Sequence, residues 1–366
     1  MRKIVIIQIA VAALLFIAGV CVLLGGKPGT TDFQLKENPP TAAASQTTGT
    51  RDTTAPSETV TAPTGDTVAP TETEATQPET EPDPAFQMPE ITWMTFPEGR
   101  QLSAAQAFVY DCQTRDFMFL QGAPEDTVWM ASITKLFAIH VASQYLGPEE
   151  NIRIESGPLS KVSYNSSTAG LEVGEVLTAS QLYVASLISS GNDASYVLAT
   201  AAGRKIEGDP SLSVDAAIEV FVAEMNRQAQ TLGLTGTHFT NPDGYHDTEH
   251  YSCMQDLATI AELALSNEAV YSYGPLSRVT ITPVSGSDKQ WQNLNLLVDA
   301  NSEYYCPYAV GLKTGYTGAA GNCLLSAFDI EGHRYIIGTF NCPSETSRFD
   351  DTLQLFNEIV IQQDAP

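Results

Sequence analysis

Basic residues and cysteines are scarce in this 366-residue chain, and it has a single long apolar run. Only 18 lysines and arginines stand against 43 aspartates and glutamates, so the formal net charge is −25. A nucleic-acid-binding protein needs a basic face for the phosphate backbone, and docking on an anionic lipid surface needs one too. The charge therefore argues against both kinds of partner.

The cysteines do not form a metal-binding or disulfide pattern. One of the six, Cys21, lies in the N-terminal apolar run. The other five have no close partner in the sequence: Cys112, Cys253, Cys306, Cys323 and Cys342. A zinc site or a disulfide framework is therefore not indicated, although one bridge stays possible.

The N-terminal apolar run divides the chain. Residues 4–24 are apolar except for Gln8, and basic residues precede the run more densely than they follow it. This length and bias predict a membrane-spanning anchor over residues 1–26, with the N-terminus in the cytoplasm and the rest outside the cell. The alternative is a cleaved signal and a secreted protein. Residues 27–88 are rich in Thr, Pro and Glu, which predicts a disordered linker.

The folded part is expected over residues 89–366. Alternating apolar residues predict strands at 104–110, 117–120, 277–283, 322–328 and 334–340. Helices are expected after Ser132, over 177–202 with a break at 189–192, over 214–232 and over 348–361. Ser252 and Gln255 resemble a capping box opening a further helix that ends near residue 265. Strand material thus flanks a helical middle.

A serine and a lysine three residues apart begin the first helix. Ser132 and Lys135 lie on one face if the segment is helical. A lysine held against a serine in a poorly solvated cleft can lose its proton and take that of the serine, because desolvation disfavours the ammonium. Ser132 is the candidate nucleophile and Lys135 its candidate base. The Ser-x-x-Lys pattern alone is a weak signal.

Two later motifs strengthen the first. Ser190-Gly191-Asn192 interrupts a helical stretch, which suits a turn that presents a hydroxyl and an amide to a cleft. Lys313-Thr314-Gly315 lies in an extended run, where a lysine, a hydroxyl and a bare glycine can form a strand edge for a peptide. The order Ser-x-x-Lys, Ser-x-Asn, Lys-Thr-Gly is the set used by penicillin-recognising serine enzymes.

With these motifs, the chain from about Ser103 to Ile361 resembles the serine-type D-alanyl-D-alanine carboxypeptidases, the low-molecular-mass penicillin-binding proteins. It shares Asn241-Pro242-Asp243-Gly244, His250-Tyr251-Ser252 and an extended Lys-Thr-Gly strand running to Leu324. The resemblance implies an α/β fold with a mixed, mostly antiparallel sheet flanked by helices. An inserted helical subdomain would carry Ser190 and Asn192.

The resemblance also implies a chemistry. Ser132 would attack the peptide bond between two terminal D-alanines while Lys135 takes its proton. Ser190 and Lys313 would relay that proton to the leaving amine, and water would hydrolyse the acyl-enzyme. Penicillins would acylate the same serine, and no metal or cofactor is implied.

The remaining implied residues bind substrate. Asn192 would hold the substrate backbone, and Thr314 with Lys313 would attract the terminal carboxylate. Gly315 and Tyr316 continue the substrate-binding strand, and the Tyr316 N–H would join that of Ser132 in the oxyanion hole. The expected partners are peptidoglycan stem peptides, with β-lactam antibiotics as inhibitors.

The family's usual arginine near the end of the last strand is displaced in this chain. Glu345 stands at its expected place, and Arg348 is the nearest substitute. The C-terminal amphipathic anchor of many members has no counterpart before Pro366, so the N-terminal span is expected to do that work.

Three rival functions stay open. Residues 246–250 fit H-x-x-E-H, a zinc-protease pattern, but they follow turn residues and are expected in a loop rather than on a helix. A serine β-lactamase shares the three motifs and needs a deacylating glutamate, for which Glu224 is the candidate, although its context predicts a helix face. A non-catalytic penicillin-sensing or wall-binding domain is the third. The sequence motifs do not distinguish a carboxypeptidase from an endopeptidase acting on D-alanyl cross-links.

Overall fold

A five-stranded antiparallel sheet organises the computed structural model, which describes residues 101–363. The strands are β1 (Gln106–Asp111), β2 (Asp116–Gln121), β3 (Thr127–Val128), β4 (Asn151–Arg153), β5 (Val176–Thr178), β6 (Ser252–Cys253), β7 (Arg278–Ile281), β8 (Lys289–Gln292), β9 (Ala309–Thr317), β10 (Gly321–Ile330) and β11 (His333–Cys342). The order in the large sheet is β2-β1-β11-β10-β9. Every pairing in it is antiparallel, so it lacks the parallel component of the expected mixed sheet.

The helices lie mostly between β2 and β9 in the chain. They are α1 (Thr134–Ala142), α2 (Ser156–Leu159), α3 (Ala179–Ile188), α4 (Asn192–Glu207), α5 (Val214–Thr231), α6 (Met254–Leu265), α7 (Glu268–Tyr273) and α8 (Ser347–Gln363). Short 3-10 turns cover Ala131–Ile133 and Leu296–Val298. The predicted helical middle, its break at 189–192 and the closing helix are confirmed.

Strand β10 shows why the sheet is covered on both faces. Successive side chains of a strand point to opposite faces. Leu325 and Ala327 belong to the large core shared with the helical middle, whereas Leu324 and Phe328 belong to a second core under α8. The Phe328 ring stacks on Phe356 of α8 with 4.5 Å between centroids. Because both faces are covered, most residues of β9, β10 and β11 are buried. Strand β9 is the last strand of the sheet, so its outer edge is not paired with another strand of that sheet.

The capping box predicted at Ser252 is wrong. Ser252 is extended and pairs with Val128 in the β3–β6 ribbon, and α6 begins only at Met254. The Ser252 hydroxyl lies 2.8 Å from Thr237 Oγ1 rather than on a helix N–H. A tertiary hydrogen bond and a strand pairing therefore replaced the local cap.

The sequence also predicted an N-terminal membrane span with a linker and left one disulfide bridge possible. The N-terminal span and linker lie outside the described residues. Within residues 101–363, no helix is long and apolar enough to cross a bilayer. The five cysteines of this part are all free, so the bridge that the sequence left possible is not formed among them.

Candidate active site

The serine of the first motif lies in the 3-10 turn that leads into α1. Lys135 follows it on the same face, and its Nζ donates a hydrogen bond of 2.9 Å to Ser132 Oγ. The predicted juxtaposition of the two groups is confirmed. Its cause is local, because residues three apart on a helix are neighbours.

The turn before Ser132 is held in an unusual backbone shape by two glycines. Ala131 has φ +48°, a region that costs a residue with a side chain about 1–3 kcal/mol. A side chain at Gly244 would overlap the Ala131 carbonyl. One at Gly315 would lie 2.8 Å from Met130 O and 3.3 Å from Ser132 N. Both neighbouring segments therefore reach the turn only because these positions are glycine.

Lys135 is buried in this packing. Its Nζ also donates to the backbone oxygen of Asp243 at 2.5 Å. Burial lowers the pKa of Lys135 from 10.5 to about 8, while the carboxylates of Asp243 and Asp193 act in the opposite direction. An amine in this position is neutral in part at neutral pH, as a general base requires.

The second motif lies at the junction of α3 and α4. Ser190 is buried and has φ +56°, and Asn192 begins α4. The Asn192 N–H donates to Ser167 O at 2.9 Å, and its buried Oδ1 has no partner among the described residues. The Asp193 carboxylate fixes the adjoining loop by accepting from Ala169 N at 2.8 Å. The predicted break in the helical stretch is confirmed; Asn192 lines the pocket described below, whereas Ser190 does not.

The third motif runs along β9, the edge strand beside the Ser132 turn. Lys313 and Thr314 are buried, whereas Tyr316 is 65% exposed. Lys313 Nζ donates to Thr314 O at 3.1 Å. Its pKa is lowered well below the usual value, first by burial and then by the charges of Lys135 and Arg348. The predicted strand edge is confirmed.

Arg348 is more closely tied to this strand than its sequence position indicated. Its side chain is 5% exposed, and it donates to Gly315 O at 3.4 Å. A second donor pairs with Glu345 at 3.2 Å, and burial lowers the arginine's pKa. Glu345, which the sequence reading expected at the family's usual arginine position, pairs with Arg348 as its counter-ion.

A pocket of about 360 Å³ opens over the serine. Its lining includes Ser132, Asn192, Asp243, Tyr245, His246 and Tyr316. Three of these six were singled out in the sequence for catalysis or substrate binding. Asp243 and Tyr245 were not, because only the tertiary packing of their loop against the Ser132 turn brings them there.

The residues of the rival functions lie elsewhere or are otherwise engaged. His246 and His250 are in a loop, as expected, and they contact Trp129 and Thr134 respectively. Among the described residues no cluster of His, Cys, Asp or Glu is arranged to hold a metal.

Glu224, the candidate deacylating residue of a β-lactamase, does not line the pocket. It accepts hydrogen bonds from Arg227 at 2.6 Å, from Tyr145 at 2.6 Å and from Gln228 at 2.8 Å. The pairing with Arg227, with help from the other two donors, lowers the pKa of Glu224 to about 2. Its oxygens are thus committed to a structural network.

Comparison with known proteins agrees with the geometry. A family model described as D-alanyl-D-alanine carboxypeptidase matches residues 93–344. A D-alanyl-D-alanine carboxypeptidase of Streptomyces sp. strain K15 is 30% identical over 235 residues, which cover 62% of this chain and 77% of the relative. The carboxypeptidase DacF of Bacillus subtilis strain 168 is 28% identical over 225 residues, 60% of this chain. The match spans 52% of DacF, about half its length.

A solved structure shares the fold. The crystal structure of the Streptomyces K15 DD-transpeptidase aligns with a TM-score of 0.65 and 26% identity, and the alignment covers 72% of this chain and 98% of that one. The family match extends over most of the chain and includes all three motifs. This protein therefore belongs to the D-alanyl-D-alanine carboxypeptidase family.

Proposed function

We propose that this protein is a serine D-alanyl-D-alanine carboxypeptidase that removes the terminal D-alanine from peptidoglycan stem pentapeptides. The observation that carries the proposal is the 2.9 Å hydrogen bond between Lys135 Nζ and Ser132 Oγ, with the lysine buried and its pKa lowered to about 8. A serine that lines an open pocket and a buried, partly neutral amine in contact with it are the parts that acyl transfer requires.

The first step is acylation of Ser132. Neutral Lys135 takes the hydroxyl proton as Oγ attacks the carbonyl carbon between the two D-alanines. The N–H groups of Ser132 and Tyr316 are the proposed donors to the oxyanion, where fixed donors stabilise developing charge. The close approach of Gly315 to the Ser132 turn supports this, because a Cβ at Gly315 would lie 3.3 Å from Ser132 N and Tyr316 is the next residue of the strand.

The second step is departure of D-alanine. The carbon–nitrogen bond breaks as the amine receives a proton, which passes from Lys135 through Ser190 and Lys313. The lowered pKa of Lys313 supports this role, because an ordinary lysine ammonium holds its proton too tightly to relay it at neutral pH.

Binding of the terminal carboxylate is assigned to Lys313, Thr314 and Arg348. Three basic side chains, Lys135, Lys313 and Arg348, gather at this site although the chain carries a net charge of −25, and the two lysines have lowered pKa values. A carboxylate beside Lys313 favours the protonated form of that lysine, so this cluster suits an anionic substrate group. Asn192 holds the peptide backbone, and Gly315 and Tyr316 form the strand along which the peptide lies.

The third step transfers the acyl group to water. Relatives are named both carboxypeptidase and DD-transpeptidase, so an amine is the competing acceptor. β-Lactams are proposed to acylate Ser132 because they imitate the D-alanyl-D-alanine unit.

The test uses the full-length protein and a muramyl pentapeptide ending in D-alanyl-D-alanine. We expect stoichiometric release of one D-alanine and labelling by a fluorescent penicillin, both lost in Ser132→Ala. Ser160→Ala, at an exposed serine outside the pocket, is the matched control and should retain both.

Other results point to other functions. A penicillin adduct on Ser132 without D-alanine release would favour a penicillin sensor. Rapid turnover of a chromogenic cephalosporin would favour a β-lactamase. Release of D-alanine together with a product that retains an added amine would favour a transpeptidase.

The cellular position is part of the proposal. Residues 1–26 would hold the chain in the cell membrane with the N-terminus inside, and residues 27–88 would space the enzyme from it. We expect the protein to remain in the membrane fraction after a salt wash. We also expect protease added to intact protoplasts to cleave the catalytic domain. Release into the medium would instead indicate signal cleavage.

A further inference from the structure

A buried histidine contacts the residue that follows the Ser132 turn and does not line the pocket. His250 is 3% exposed, and its Nε2 lies 2.7 Å from Thr134 Oγ1. The Thr134 hydroxyl in turn donates to the Ala131 carbonyl at 2.8 Å. Neither His250 nor Thr134 has a part in the chemistry proposed above.

The backbone fixes which group donates in each of these hydrogen bonds. The Thr240 backbone N–H donates to His250 Nδ1 at 3.1 Å, so Nδ1 is an acceptor and the ring proton is on Nε2. Nε2–H therefore donates to Thr134 Oγ1, and the hydroxyl proton is left for Ala131 O. Burial lowers the pKa of His250 to about 4, which keeps the ring neutral and the order of donors intact.

The series of hydrogen bonds from His250 through Thr134 ends at the peptide bond that precedes Ser132. The Ala131 C=O and the Ser132 N–H belong to one rigid amide plane and point in opposite directions. Fixing the carbonyl therefore fixes the direction of the N–H. The carbonyl also accepts from the Thr134 backbone N–H and is covered by Gly244, so it is held from several sides.

We propose that His250 and Thr134 are positioning residues that orient the Ser132 N–H as an oxyanion-hole donor. The inference rests on the proposed function, in which that N–H stabilises the oxyanion. Hydrogen bonds to the Ala131 carbonyl also polarise the amide, which makes its N–H a stronger donor. The pair thus holds a non-helical peptide in the geometry that the reaction uses.

The first test compares Thr134→Val, which keeps the shape and removes the hydroxyl, with Thr134→Ser, which keeps the hydroxyl. Complete removal of an oxyanion donor lowers kcat about 100- to 1000-fold. A donor that is only misaligned should lose less, so we expect Thr134→Val to slow penicillin acylation about 10-fold. The dissociation constant of the non-covalent complex should stay unchanged, and Thr134→Ser should be close to wild type.

The direct readout is the infrared spectrum of the acyl-enzyme. Hydrogen bonds to a carbonyl oxygen lower its stretching frequency. The ester carbonyl on Ser132 should therefore move to higher wavenumber in Thr134→Val and return in Thr134→Ser. A wild-type frequency and acylation rate in Thr134→Val would overturn the inference. A merely destabilised fold would change the melting temperature without moving the carbonyl band.

The histidine supplies a second pair of variants should the valine variant fail to fold. In His250→Gln the side-chain amide can donate to Thr134 and accept from Thr240, whereas in His250→Phe it can do neither. We expect the glutamine variant to keep the carbonyl frequency and the phenylalanine variant to raise it. Equal frequencies in the two would contradict the inference, whereas an unlabelled wild-type protein would contradict the proposed function instead.

Discussion

The pH dependence of acylation tests the role of Lys135 most directly. Only the neutral amine can accept the serine proton. Each unit of pKa is a factor of ten in the neutral fraction well below the pKa. Lowering the pKa from 10.5 to about 8 raises the neutral fraction at pH 7 about 300-fold, to about a tenth of the molecules.

The assay is the second-order rate constant for labelling by a fluorescent penicillin, measured by stopped flow from pH 6 to 10. The rate constant should rise nearly tenfold per pH unit at the acid end and level off above about pH 8. Asp243→Asn removes a carboxylate that raises the pKa of Lys135, so the midpoint should move to lower pH. Asp209→Asn, at a half-buried aspartate outside the pocket, is the control and should leave the midpoint unchanged.

Three results would contradict this reasoning. A rate constant that does not change between pH 6 and 9 would mean that Lys135 is not the group whose deprotonation limits acylation. A midpoint near 10.5 would mean that burial does not lower its pKa in the folded protein. A midpoint that rises in Asp243→Asn would show that the carboxylate acts through structure rather than through charge.

Two further predictions concern stability. The pKa of Lys135 is lower in the folded protein than in the unfolded chain. Burying the charged amine therefore lowers the free energy of unfolding by up to about 3 kcal/mol below pH 8. This loss disappears as the pH rises from 8 to 10.5. Lys135→Met should therefore abolish acylation yet raise the free energy of unfolding at pH 7, measured by urea denaturation; a loss of stability at pH 7 would contradict it. Gly244→Ala should lower the free energy of unfolding by about 3 kcal/mol or more, because its Cβ overlaps the Ala131 carbonyl at a positive φ. Gly208→Ala, also at positive φ but with open space around it, should cost only about 1–2 kcal/mol, and equal losses would show that packing on the turn is not the cause.

The sequence determined those parts of the site whose geometry is local. Ser132 and Lys135 are one helical turn apart, so their contact follows from helix periodicity wherever the helix lies. The glycine and asparagine after Ser190 predicted a break in a helical run, and the break was found between α3 and α4. Apolar runs predicted β1, β2, β10 and β11 of the large sheet, because a strand covered on both faces carries apolar residues on both of them.

The tertiary structure decided what depends on segments far apart in the chain. The loop with Asp243 and Gly244 and the side chain of His250 reach the Ser132 turn across more than a hundred residues, and no periodicity encodes such a contact. Ser252 shows the same limit, since a pairing with a distant strand overruled a local capping pattern. The position of Arg348 was also undecided, because only packing brings its guanidinium to the carbonyl of Gly315. The lowered pKa values of Lys135 and Lys313 belong here too, because burial is a property of the folded molecule and not of the motif.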